Sequence, residues 1–109
     1  MSVQFLSTVA TWEEVASSLP HDLTDTEWLM AAVCYRFEHE QIDSTDVSVI
    51  ANDYFRRARW PHPTNLAATA NHCAGKGWLS EVGRVDGRKF WRITRKGYES
   101  IKSRIGQVA

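Results

Sequence analysis

A change of hydrophobic period at Gly77 constrains the fold more than any other feature of the sequence. Before this glycine, apolar residues recur at helical spacing; after it, apolar and polar residues alternate, as in a strand. The segment 78–82 predicts one strand and the segment 90–94 its partner. The loop between them, residues 83–87, contains Asp-Gly, a dipeptide typical of tight hairpin turns. The sequence therefore predicts a β-hairpin late in an otherwise helical chain, with Trp91 and Ile93 on its buried side.

Two capping boxes predict where the first helices begin. Thr11 is followed three positions later by a glutamate, which predicts a short helix ending near Ser18, before a proline. Thr24 stands at the head of the same pattern, and the helix it opens covers residues 28–38. This second helix is apolar on more than one face, so it has more apolar surface than one small core requires. Either the N-terminal helix or a second copy of the chain is expected to cover the surplus.

Two further helices are predicted before the hairpin and one after it. Ser44 or Thr45 is expected to cap the third helix, whose buried face has helical spacing (Val47, Ile50, Ala51 and Tyr54). Two prolines at 61 and 63 then break the chain, and the next helix covers residues 64–76. Thr94 is expected to cap a last helix.

The charge of the chain is unevenly distributed, although its formal total is zero. Residues 1–54 contain ten acidic residues and one basic residue, whereas residues 55–109 contain twelve basic and three acidic residues. Such asymmetry indicates a polyanionic partner for the basic half. The alternative is that the two halves attract each other, within one molecule or between two.

The chain length and its cysteines predict one cytoplasmic domain. A chain of 109 residues supports one hydrophobic core, and Cys34 and Cys73 are interpreted as buried free thiols in a reducing compartment. No apolar run is long enough for a membrane span, so no membrane partner is expected. The N-terminal segment 1–10 does not have the pattern of a secretory signal.

The hairpin and the residues after it resemble the wing of MarR- and PadR-like regulators, whose pattern is GLL followed by LT-x-x-G. The resemblance lies in residues 77–83 (Gly-Trp-Leu-Ser-Glu-Val-Gly) and 90–98 (Phe-Trp-Arg-Ile-Thr-Arg-Lys-Gly-Tyr). It implies a winged helix-turn-helix: a three-helix core plus a wing, with extra N-terminal and C-terminal helices. The implied domain spans residues 23–109, after an N-terminal extension, residues 1–22, that contains the short helix.

In the DNA-binding members of such families, the third core helix enters the major groove and the wing contacts the backbone or the minor groove. The resemblance therefore implies a small transcriptional regulator that binds duplex DNA through helix 64–76 and the wing 83–92. The residues expected to face DNA from the helix are Thr64, Asn65, Ala68, Thr69, His72 and Lys76. The expected phosphate contacts are Arg56, Arg57, Arg59, Arg84, Arg88, Lys89, Arg92, Arg95 and Lys96. The helix departs from the usual pattern because it has no basic residue before Lys76, so the commonest guanine contact is missing.

The same pattern also occurs in winged helices that bind RNA and in others that bind only proteins. The second hypothesis is therefore a protein-interaction module, such as an accessory subunit or a phage or mobile-element protein. A subsidiary hypothesis is a homodimer through the surplus apolar face of the second helix, at Trp28, Ala32 and Tyr35.

Catalysis and cofactors are not expected. The sequence contains no nucleophile elbow, phosphate-binding glycine loop or dinucleotide-binding motif. His62 and His72 are not accompanied by the cysteine or histidine spacing that completes a metal site, so no metal is expected either.

Overall fold

The computed structural model describes residues 11–61 and 65–106, and within them the chain is mainly helical with a small antiparallel sheet. In chain order the elements are α1 (Trp12–Ser18), α2 (Asp25–His39), α3 (47–58), α4 (Leu66–Gly75), β1 (Leu79–Val85), β2 (Arg88–Ile93) and α5 (Arg95–Gly106). Helix α3 consists of three consecutive segments: Val47–Val49, a π-helical stretch Ile50–Phe55, and Arg56–Ala58. This order of helices and strands is the predicted one.

The predicted helix caps are confirmed in three places and corrected in one. Thr11 and Thr24 both form complete capping boxes, and the Thr94 hydroxyl accepts a hydrogen bond from Gly97 N at 3.0 Å. The cap of α3 is Asp46, whose carboxylate accepts from Val49 N at 3.0 Å. The prediction of Ser44 or Thr45 is therefore wrong, because Thr45 is in extended backbone that pairs with Trp91.

The hairpin is longer and its turn tighter than predicted. Asp86 and Gly87 form a two-residue turn with φ values of 53° and 79°, the left-handed conformations of a type I′ turn. Because this turn matches the twist of the strands, pairing continues to Val85 and Arg88 and the predicted five-residue loop is absent. A bulge after Glu81 interrupts the register of the two strands.

One core joins the helices to the hairpin. Trp12 in α1 is fully buried, and its indole N–H donates to the carbonyl of Tyr54 in α3 at 2.7 Å. Trp91 and Ile93 of β2 are buried as predicted. Cys34 and Cys73 are likewise buried free thiols, and burial raises the pKa of Cys34 to about 12 and that of Cys73 to about 11. Helix α1 therefore shares the core of the elements that follow it.

The surplus apolar face of α2 is covered within the chain. Ala32 is fully buried, and the Tyr35 ring packs on Trp12 with centroids 5.3 Å apart. Trp28 is half-buried against Trp60, with ring centroids 3.7 Å apart. These findings correct the prediction that Trp28, Ala32 and Tyr35 form an exposed dimer surface. They also show that Trp60 is a packing residue.

Candidate nucleic-acid interface

The outer face of α4 is uncovered. The buried residues of α4 are Leu66, Ala70 and Cys73. Its exposed residues include Ala67, Ala68, Asn71 and His72. Of the residues predicted to face DNA, Ala68 and His72 are therefore exposed, and Thr69 is half-exposed. Thr64 lies outside the described residues. Small and polar side chains on this face allow close approach by another macromolecule.

Asn65 has a structural role at the start of α4. Its Oδ1 accepts from Ala68 N at 3.0 Å, which caps the helix, and its backbone carbonyl accepts from the Thr69 hydroxyl at 3.3 Å. The carboxamide oxygen is thus already engaged, and the amino group remains to contact a ligand. This arrangement weakens the prediction that Asn65 binds an adenine edge, since that contact uses both amide atoms.

The hairpin contacts the exposed face of α4 directly. Lys89 Nζ in β2 lies 3.4 Å from Asn71 Oδ1 in α4, and 5.6 Å from the centroid of the Trp91 ring. The sequence did not single out Asn71 as a site residue. The only sequence signal for Asn71 is that it lies four positions after Ala67, which puts both residues on one face of α4.

A groove of about 320 Å³ lies where α3, α4 and the hairpin meet. Its lining is largely apolar and includes two cations, Arg88 and Lys89. The lining residues are Asp46, Val47, Ser48, Ala67, Asn71, Gly87, Arg88, Lys89 and Trp91. Asp46 is buried there and accepts from Ser48 Oγ at 2.5 Å as well as from the α3 backbone. Burial raises the pKa of Asp46, but these hydrogen bonds and Arg88 outweigh burial and lower it. Asp46 therefore stays ionised and balances part of the positive charge beside the groove.

The arginines of the hairpin are each paired with a carboxylate. Arg84 contacts Glu81 at 2.9 Å on the same strand. Arg88 contacts Asp46 at 3.6 Å, and Arg92 contacts Asp43 at 2.5 Å, so the segment before α3 neutralises part of the hairpin's positive charge. All three arginine side chains remain more than half exposed. The pairs of Arg84 and Arg92 are largely exposed and contribute little stability, whereas the Asp46 partner of Arg88 is buried.

The three arginines at the end of α3 do not form one group. Arg57 makes a two-pronged contact with Glu13 of α1, with both N···O distances 2.9 Å, and a third contact with Asp53 at 3.4 Å. Arg56 and Arg59 are exposed beside Trp60 and have no ion pair with any described residue. Arg57 therefore fastens α1 to α3, while its two neighbours face solvent.

The remaining predicted cations flank the hairpin, with Lys76 before β1 and Arg95 and Lys96 after β2. Lys76 is 5.2 Å from the centroid of the Trp78 ring, and the Lys96 side chain lies beside Gly77. Arg95 contacts Glu99 at 3.3 Å on its own helix and is almost fully exposed.

Ion pairs connect the acidic half of the chain to the basic half. Within the described ranges, seven of the nine ion pairs join a residue before 55 to one after it. On α5, for example, Arg104 binds Asp22 and Glu27, and Lys102 binds Glu38. The charge asymmetry is therefore used in part to hold one molecule together, as the alternative interpretation of the sequence predicts.

Comparisons with protein-family models, with curated proteins and with solved structures found no match to this chain. Among residues 11–61 and 65–106, no group of three His, Cys, Asp or Glu side chains is placed to hold a metal ion. No helix in those same ranges combines the length and the apolar character needed to cross a membrane. Function is therefore inferred from the geometry of α4 and the hairpin.

Proposed function

We propose that the chain is a winged-helix domain that binds duplex DNA and acts as a small transcriptional regulator. The order of α2, α3, α4 and the hairpin supports this proposal, as does the bridge from Thr45 to Trp91. In that bridge each residue's backbone N–H donates to the other's carbonyl, at 2.9 and 2.8 Å, which places the segment before α3 beside β2. Helix α4 is then the recognition helix, and the hairpin is the wing.

The observation that carries the proposal is the contact between Lys89 and Asn71. It lies where the hairpin meets the exposed face of α4. A duplex whose major groove receives α4 has a phosphate backbone within reach of the wing cations. Because Asp43 and Asp46 are already paired with Arg92 and Arg88, these two carboxylates repel phosphates less than free carboxylates do.

The composition of the surface predicts how DNA is bound. Helix α4 offers Ala67, Ala68, Asn71 and His72 to the bases, which supports few strong base contacts. Affinity then comes mainly from phosphates, and Arg88 and Arg92 must exchange a carboxylate for a phosphate. We therefore expect binding of moderate affinity and steep salt dependence, which is typical of backbone-driven recognition.

The test is a fluorescence-anisotropy titration of a 20–25 base-pair duplex at low salt, with wild type and the double variant Arg88→Ala, Lys89→Ala. Removing two phosphate contacts is expected to weaken binding about tenfold or more, and to reduce the slope of log K against log salt by about two. Lys102→Ala controls for the loss of positive charge elsewhere, because it removes one charge on α5, where Lys102 pairs with Glu38. Absence of binding by wild type at micromolar protein contradicts the proposal, and so does equal weakening by the control. A duplex RNA of the same sequence tests the RNA-binding alternative.

A protein-interaction role is the second candidate. It is favoured by the internal ion pairing and by two exposed apolar residues of β1, Val82 (47% exposed) and Val85 (58% exposed). Under this hypothesis, Val82→Ser with Val85→Ser removes a stoichiometric protein partner that survives nuclease treatment. Under the DNA hypothesis, the same variant retains its affinity for duplex DNA.

A further inference from the structure

Arg59 has a backbone conformation that ordinarily favours glycine. Helix α3 ends in a Schellman motif: Trp60 N donates to Phe55 O and Arg59 N to Arg56 O, both at 3.1 Å. The apolar contact that accompanies this motif is also present, since the Phe55 and Trp60 rings are 5.2 Å apart. The motif requires a left-handed residue at position 59, and Arg59 accordingly has φ 60° and ψ 34°.

The Arg59 side chain makes no contact with the described residues that would stabilise this turn. The turn is closed by backbone hydrogen bonds, and the guanidinium of Arg59 has no ion pair or hydrogen bond with any residue in the described ranges. An L-residue in the left-handed region is strained, whereas glycine is not. Glycine would therefore be the unstrained residue at position 59, and a strained backbone of this kind points to a role for the Arg59 side chain.

Arg59 lines an open concavity together with Arg56. Its other lining residues are Ala51, Asn52 and Trp60. Trp60 is a fixed wall because it packs on Trp28, Phe55 and Trp12. Two unpaired guanidinium groups beside an amide and a rigid ring make a surface suited to a phosphate, which guanidinium binds through two parallel N–H donors.

We propose that Arg56 and Arg59 form a phosphate-binding site, occupied by a backbone phosphate of the DNA duplex that α4 contacts. The inference rests on the proposed function, which it extends from the wing to the other end of the recognition helix. Arg59 lies seven residues before the start of α4, and under this proposal the site and the wing bind the same duplex. Arg57, between the two, is excluded from the site because Glu13 and Asp53 hold it.

The experiment is Arg59→Gly in the anisotropy titration, with a thermal melt of the same protein. Glycine removes the guanidinium and the strain together, so affinity is expected to fall several-fold while Tm stays equal or rises. The salt slope is expected to fall by about one. Gln41→Gly is the matched control, since Gln41 also has a left-handed backbone (φ 57°) and follows α2. It is expected to leave affinity unchanged. Arg59→Lys keeps a cation in the same strained backbone and is expected to bind with intermediate affinity.

The possible results separate the two proposals. If Arg59→Gly binds DNA like wild type while the Arg88→Ala, Lys89→Ala variant is weakened, the phosphate site is wrong and the wing interface stands. If wild type does not bind duplex DNA, both are wrong. If Arg59→Gly lowers Tm by several degrees, the side chain supports the fold and the inference from strain is overturned. Arg56→Gln provides a second check, because losing its guanidinium is expected to reduce affinity and salt slope in the same direction.

Discussion

The aromatic cluster around Trp12 and the tip of the hairpin are built in opposite ways. Trp12 is fully buried and packs on Tyr35, Tyr54 and Trp60, with ring centroids 5.2–5.4 Å apart. Residues 82–88 of the hairpin are all exposed, and their shape comes from strand pairing and a two-residue turn. Substitutions in the cluster should therefore change stability, whereas substitutions at the tip should change binding with little effect on stability.

The largest effect is expected at Trp12. Trp12→Ala removes a fully buried indole and its hydrogen bond to Tyr54, which costs about 3–5 kcal/mol of unfolding free energy by the usual range for large-to-small core changes. Small domains have only about 5–15 kcal/mol in total, so much of the fold is at risk. Urea unfolding followed by circular dichroism measures the loss.

Trp12→Phe is the control for this prediction. It keeps an aromatic ring against Tyr35 and Tyr54 but removes the indole N–H, so it should destabilise clearly less than alanine does. If Trp12→Ala unfolds at the same urea concentration as wild type, α1 is not part of the core and the contrast with the hairpin tip fails.

A pair of glycines extends the comparison to the contact between α5 and the segment before β1. A Cβ on Gly97 would lie 2.2 Å from the carbonyl oxygen of Trp78, a clash between α5 and the chain entering β1. Gly97→Ala is expected to destabilise by about 1–3 kcal/mol, the usual cost of overpacking. Gly83→Ala in the hairpin meets open space and is expected to stay within about 0.5 kcal/mol of wild type. Chemical denaturation of both variants checks the pair; equal losses would show that α5 moves freely to make room.

Local signals in the sequence predicted much of the fold. The capping boxes at Thr11 and Thr24, the cap at Thr94 and the Asp86-Gly87 turn each depend on residues close together in the chain, and all four are present. The hydrophobic period also assigned Trp91 and Ile93 to the core. Caps and turns that depend on three or four neighbouring residues can be predicted from the sequence without knowing which distant residues they contact.

The features that were missed depend on contacts between distant residues. Arg57 was predicted to face DNA, but Glu13, 44 positions earlier, holds it. The periodicity of α3 gave no sign of the π-helical stretch, nor of Phe55, which is buried beside Tyr54. Neither the pairing of Lys89 with Asn71 nor the groove beside them has a local signature. The candidate site was thus predicted at the level of its elements, while the roles of individual cations required the structure.

Asp43 offers a test of how far internal pairing restrains the wing. Asp43→Asn removes the carboxylate that contacts Arg92 and leaves that guanidinium available to a phosphate. Duplex affinity in the anisotropy assay is therefore expected to rise a few-fold, with little change in stability, since the pair is exposed. Asp22→Asn is the control, because it changes the net charge equally at α5, where Arg104 keeps its contact with Glu27. A rise in affinity of the same size for both variants would point to net charge alone, and the wing would have no special role.

The smallest effect is expected from the ion pair at the edge of the aromatic cluster. The two-pronged hydrogen bond from Arg57 lowers the pKa of Glu13 from 4.5 to about 2. Because this pKa is lower in the folded state, the pair stabilises the fold fully above about pH 4.5, and its contribution is lost as the pH falls toward 2. Glu13→Gln is therefore expected to lower the urea midpoint slightly at pH 7 and to reduce the further loss between pH 4.5 and 2.5. Glu99→Gln, which removes the single exposed contact with Arg95, serves as the control and should change the acid profile less. If Glu13→Gln and wild type lose the same stability over that pH range, the carboxylate of Glu13 does not fasten α1 to α3, and the aromatic packing alone holds the helix in place.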